Sequence, residues 1–254
     1  MIILHIATPS SFLKAAMLSR LHRGTCIHKD ELATTLLAGC LDETIDCDSL
    51  SLQTVLGRYE SAFGPLVWLG STQSRQLSSA AFYAARYNAK DRYQLIFTVI
   101  GQALERGPNF VLSRVSREAR NMFNRARRVC VEIQRAYGFV RLIPVDGVSG
   151  PIMVGRAEFE NDIADIVVRY FTRRHPKQAV YLIVGNSAYH FENGAMAITD
   201  VFSLPFSLPE DGFTELWEAY YDSQSIEGRR NPELARKHLP KKYWSWVPEG
   251  KKLK

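Results

Sequence analysis

The sequence predicts an α+β protein: an α-rich N-terminal part, then a small antiparallel sheet of ββαββ type with a long arginine-faced helix, then C-terminal helices. Three observations carry that reading. Helix-period segments fill the chain as far as Gly138. Short apolar runs bounded by turn residues take over from there to Phe202. The turn signal Asp146-Gly147 separates the first two of those runs, as in a hairpin.

The elements follow in order. "IILHIA" at the start is a short apolar run and reads as a strand. Ser10 and Ser11 can cap a helix over "FLKAAMLSRLHR". Residues 30–62 read as one or two helices with an acidic bias. "QLSSAAFYAARYNA" and "DRYQLIFTVIGQALERG" are further helices, the second ended by Gly107-Pro108. "GFVRLIPV" and "GPIMVGRAEF" are strands, and "ENDIADIVVRYFTRRHP" is a helix stopped by Pro176. "AVYLIVG" and "GAMAITDVF" are two more strands around the loop "NSAYHFENG". "EDGFTELWEAYYDSQ" is a helix opened by acids, and Asn231 caps a last short helix that starts at Pro232. Residues 1–90 form the α-rich region, within the same domain or apart from it, and residues 91–254 the α+β region.

The chain has 254 residues, 46% of them hydrophobic, which is enough for one large domain or two small ones. No apolar stretch is long enough to span a bilayer, and the start lacks the basic and apolar regions of a signal peptide. The four cysteines match no zinc spacing and read as reduced thiols of a cytoplasmic protein.

The net charge is +6, but its distribution says more. Residues 112–141 hold eight Arg and two Glu, a net +6; residues 227–254 hold nine Lys or Arg and three Glu, again +6. The remainder therefore sums to −6. Segregation of this kind points to an anionic partner.

The first basic segment reads as one helix over residues 109–138, with Gly138 as its C-cap. At about 100° per residue, Arg114, Arg117, Arg120, Arg125, Arg127, Arg128 and Arg135 share one face. Val111, Val115, Ala119, Met122, Ala126, Val129 and Ile133 share the other. Only Glu118 and Glu132 temper the arginines. Ordinary solvated faces mix signs, because opposite charges four apart help a helix. Arginine also suits forked contacts to phosphate. A solvated face and a helix lying on an anionic membrane are the competing readings; the second lacks a Trp-rich edge and needs an apolar face already used as core.

In the tail, Arg229, Arg230, Arg236, Lys237, Lys241 and Lys242 surround Tyr243, Trp244 and Trp246. Cations along a backbone, interleaved with rings that stack on bases, suit single-stranded nucleic acid. The rings can equally dock the tail on the core, with Trp244 packed and Trp246 the exposed ring.

The stretch "LWEAYYDSQSIEGRRNPELARKHLPKKYWSWVPE", with "EIQRAYGFVRL" and "YFTRRHPKQ" upstream, resembles a bacterial and archaeal family of probable DNA-metabolism or DNA-repair proteins of unassigned activity. The matching residues are Trp217, Tyr220, Ile226, Arg229 or Arg230, Asn231, Pro232, Pro240, Tyr243, Trp244 and Glu249, with Gly138, Phe139, Arg141, Phe171 and Arg174. Where the family carries an aspartate and a basic residue after a strand, this chain reads "GNSAYH". The resemblance covers residues 91–254. It implies a DNA-repair context and, as partners, a radical-SAM repair protein or a uracil-DNA glycosylase.

The expected function is therefore binding of DNA, damaged or single-stranded, as part of DNA repair. The expected contacts are Arg114, Arg117, Arg125, Arg128, Arg135, Arg141, Arg174, Arg229, Arg230, Asn231, Lys241, Lys242, Tyr243 and Trp246. The alternatives are a glycosylase or related hydrolase acting on a flipped damaged base such as uracil, and an RNA-binding or RNA-processing protein. A P-loop, GxGxxG after a strand, HExxH and GxSxG are absent, so no cofactor is expected. Asp162 and His238 are the candidates for catalysis. Glu158, Glu160, Asp162 and Asp165 otherwise suit a helix start. His22, Cys26 and His28 could offer three metal ligands, but a fourth is missing and the spacing fits no standard site.

Overall fold

The computed structural model describes residues 1–31, 43–147, 150–192, 194–206 and 239–247, with residues 223, 233, 234, 236 and 250. Apart from Ser223, the helix expected over residues 210–224 lies outside them, as do Arg229, Arg230, Asn231 and His238. The chain divides into two compact units, Met1–Val131 and Glu132–Lys254.

The first unit is built on a parallel sheet of order β2-β1-β3. Strand β1 (Ile2–His5) is buried along its whole length because it is the central strand. It pairs with β2 (Thr25–His28), His5 opposite His28, and with β3 (Thr44–Asp46), Leu4 opposite Asp46. Helix α1 (Pro9–His22) joins β1 to β2. Its cap is Thr8, whose hydroxyl accepts from the Ser11 N–H, and Pro9 opens the first turn. Strand β3 corrects the helical reading of residues 30–62: Thr44, Ile45 and Asp46 pair with β1, and the helix begins only after Ser51. Two β-branched residues between acids suit an edge strand better than a helix.

Helices α2 (Leu52–Phe63), α3 (Thr72–Ala84) and α4 (Arg92–Arg106) surround α1 and the sheet. Phe12, Met17, Leu18, Val55, Tyr59 and Ile96 are at most 1% exposed in their common core. Each such side chain contributes roughly 1.5–3 kcal/mol on burial.

The expected single helix over 109–138 is two. Short α5 (Pro108–Leu112) ends before Arg114, which adopts a left-handed φ of 57°. Helix α6 (Arg117–Phe139) then restarts. Ser116 caps it: its hydroxyl accepts from the Ala119 N–H at 3.1 Å and donates to Gln102 Oε1 at 2.7 Å. The break explains Val115, expected in the core but 65% exposed. Gly138 lies inside α6 and not at its cap.

The second unit carries a five-stranded mixed sheet, β4-β5-β6-β7-β8. Strands β4 (Leu142–Gly147) and β5 (Gly150–Ala157) form the expected hairpin. Helix α7 (Ala164–Arg174) then carries the chain back so that β6 (Val180–Val184) runs parallel to β5. A wholly antiparallel sheet is therefore corrected: a helical crossover brings the next strand back in the same direction. The expected loop "NSAYHFENG" contains β7 (Ser187–Glu192), paired antiparallel with β6 and with β8 (Ala195–Asp200). Gly185, at φ 59°, makes the tight β6–β7 turn. Ala188 and His190, two apart on β7, point into buried surroundings.

Candidate nucleic-acid interface

Helix α6 is the element the charge map singles out. Within the first unit, Ala119, Met122, Ala126 and Val129 are buried. Arg117, Arg120, Arg127 and Arg128 are exposed on the other side. The 3.6-residue repeat therefore does what the sequence implies: one stripe is core, the other is arginine.

These arginines differ in what already holds them. Arg125 makes a two-pronged pair with Asp91, at 2.8 and 2.9 Å, and lies 5.4 Å from the Tyr87 ring. The Arg125 guanidinium holds the Asp91 carboxyl below its usual range. Arg128 donates to the Tyr87 hydroxyl at 3.1 Å. Arg114, off the helix, lies 4.8 Å from the Phe123 ring. The side chains of Arg117, Arg120 and Arg127 make no hydrogen bond or ion pair among the described residues. Asp91 and Tyr87 were not expected partners; they lie too far away in sequence for a helical period to reveal.

In the second unit Glu132, which the sequence places among the arginines, is only 2% exposed. Its carboxylate accepts the Glu160 N–H at 2.7 Å and the Asn161 amide. Around it, the loop before α7 and the tail are fastened together. Lys242 pairs with Glu160, and the Ser245 hydroxyl donates to Glu158 at 2.9 Å. Burial alone would lower the Lys242 ammonium, but Glu160 holds it above its usual range. Two of the four clustered acids thus serve a structural contact. Asp162 is exposed, and its charge helps burial to raise the Tyr189 hydroxyl.

The remaining expected contacts fall as follows. Arg135 lies 5.8 Å from the Tyr243 ring. Arg141 donates to the Gly138 carbonyl at 2.7 Å, and Arg174 to the Tyr170 hydroxyl at 3.0 Å. Lys241 is exposed, 6.0 Å from the Trp244 ring. Tyr243, read as a stacking ring, is 2% exposed and clusters with Leu239 and Val247. Trp244 packs on that cluster, as expected, and donates to the Leu239 carbonyl at 2.9 Å. Trp246, expected to be the exposed ring, is half-buried against Phe159 and Tyr243.

The Tyr243 hydroxyl is buried with no hydrogen-bond partner among the described residues. Removing such a group relieves a desolvation cost of roughly 1–3 kcal/mol. Tyr243→Phe is therefore expected to leave the melting temperature unchanged or raise it. A clear drop would mean that the hydroxyl has a partner.

Fold and surface together define an α+β protein with an arginine-faced helix. A domain of unknown function, DUF4130, matches residues 90–249, and the chain belongs to that family. No curated protein matches it.

Proposed function

We propose that this protein binds DNA through the exposed arginine face of α6 and acts in DNA repair as a module that presents DNA to a partner enzyme. The observation that carries the binding is the set Arg117, Arg120, Arg127 and Arg128, exposed on a helix whose opposite face is core. Like charges at this density are mildly unfavourable until an anion meets them. The Arg117–Arg120 and Arg127–Arg128 pairs lie roughly 13 Å apart along the helix axis. That spacing suits phosphates on either side of a B-form major groove, about 12 Å wide.

The repair context is supported by the tail motif and its resemblance, which also names the partner classes: a radical-SAM repair protein or a uracil-DNA glycosylase. Arg135 and Arg141 of the first basic segment, Lys241 of the second and Arg174 of α7 add phosphate contacts in the second unit. The presenting role is taken over hydrolysis because the sequence carries no recognisable hydrolase motif.

The test is one salt titration on labelled duplex DNA, single-stranded DNA and RNA of equal length. DNA binding that weakens steeply with salt is expected. RNA bound more tightly than either DNA at every salt concentration would replace this reading with the RNA one.

A further inference from the structure

We infer that Arg125 is a gated phosphate contact of the α6 face: in the free protein the Asp91 carboxylate occupies the place that a DNA backbone phosphate takes on binding. The inference rests on the proposed DNA binding by α6 and adds a regulating residue to it.

The geometry of the pair carries the argument. Arg125 meets Asp91 through both terminal nitrogens, Nη1 to Oδ1 at 2.8 Å and Nη2 to Oδ2 at 2.9 Å. A guanidinium uses the same fork for two oxygens of a phosphate. The Arg125 side chain is 20% exposed and that of Asp91 62%, so the carboxylate is the outer member of the pair. An anion reaching Arg125 must take its place. Arg128, about one turn further along α6, is exposed beside it. Tyr87 holds both: its hydroxyl accepts from Arg128 at 3.1 Å, and its ring lies 5.4 Å from Arg125. Arg125 therefore stays aligned with Arg128 when Asp91 leaves.

The Asp91 carboxylate does little else. It stands at the head of α4 yet makes no side-chain cap to that helix, whereas Thr8, Ser51 and Ser71 cap α1, α2 and α3. Its turn is closed by backbone bonds, from the Arg86 N–H to Tyr83, from Tyr87 to Ala84 and from Arg92 to Ala89. Asp91 is also the only acid in the stretch Arg86–Arg92, which holds Arg86, Lys90 and Arg92. An exposed pair of this kind is weak. Once released, the carboxylate lies in water at a helix start, where the dipole favours it. DNA already docked on Arg117, Arg120 and Arg127 offers its next phosphate at high effective concentration, so displacement follows docking.

The experiment compares duplex DNA affinity for the wild type, Asp91→Asn, Arg125→Gln and the double variant, with polyglutamate and inorganic phosphate as other anions. Asp91→Asn is expected to stay folded and to bind duplex about two- to fivefold tighter. Most of that gain is expected to be absent when Arg125→Gln accompanies it. Asp91→Ser, which also lacks the charged fork, is expected to behave alike. An equal gain in the Arg125→Gln background would show that the carboxylate acts only by its charge at a distance. Unchanged or weaker binding by a folded Asp91 variant would show that Asp91 supports the face and does not gate it. A gain as large for polyglutamate or inorganic phosphate would assign Arg125 to another anion. Each of these results overturns the inference and leaves salt-dependent duplex binding by the wild type, and with it the α6 reading, in place. No duplex binding by any of the proteins would overturn both.

Discussion

Glu132→Ala is expected to destabilise the protein by about 3–5 kcal/mol. The carboxylate is buried and accepts two donors from one loop, the Glu160 N–H and the Asn161 amide. Hydrogen bonds to a charged group contribute roughly 1.5–3 kcal/mol each, and alanine leaves both donors unmatched. Glu132→Gln keeps one oxygen. If the Asn161 amide turns its own oxygen toward the new NH₂, most of the network survives, so about 1–2 kcal/mol is expected. Urea unfolding followed by tryptophan emission separates the two. The same loop carries Glu158 and Glu160, which hold Ser245 and Lys242 of the tail. A Glu132→Ala variant within about 0.5 kcal/mol of the wild type would mean that this loop is fastened by something else.

Acidification is expected to remove about 3 kcal/mol of stability through His5 alone. The ring is 0% exposed, boxed by Phe12, His28, Tyr93 and Phe97, and its Nε2 has no partner among the described residues. Burial in this box lowers its pKa from 6.5 to about 4; His28 adds to the lowering, while the Ile6 carbonyl and the Asp48 carboxylate oppose it. The folded state thus holds the neutral ring. His5 contributes its full stability above pH 6.5, and the contribution is lost as the pH falls toward 4, because only the unfolded chain takes up the proton in that window. Each pH unit of difference is worth about 1.4 kcal/mol, which sets the size. His5→Phe suits the aromatic box and should flatten the curve between pH 6.5 and 4. Parallel curves for the two proteins would show that His5 is not held neutral.

Much of this architecture is legible in the sequence, for reasons that differ by element. The apolar stripe of α6 is periodic, so the spacing of Ala119, Met122, Ala126 and Val129 is enough to mark them as core. The break that precedes the helix is not marked in that way. Only a left-handed Arg114 and the Ser116–Gln102 contact produce it, and Gln102 is 14 residues away. Strand β7 is hidden because Asn186, Ser187 and Glu192 read as loop chemistry, whereas pairing on both sides makes it a strand. The direction of β6 follows from the α7 crossover and not from any residue within β6. Charge is the other divide. A helical wheel places Arg125 beside Arg117, but it cannot see Asp91, which neutralises the first and not the second. The tail fails in the same way. Its cations and rings resemble a free single-strand surface, but Lys242 meets Glu160 and Tyr243 is buried.

The central claim is that α6 meets phosphate with arginines that no described residue holds. Its most direct measurement is the salt dependence of duplex DNA affinity for the wild type and for the combined Arg117→Gln, Arg120→Gln, Arg127→Gln variant. Each phosphate contact contributes about 0.9 to the slope of log K against log salt. The variant is expected to stay folded and to have a slope shallower by about 2.7. A folded variant with the wild-type slope would contradict the claim and leave the arginine face as a solvated surface.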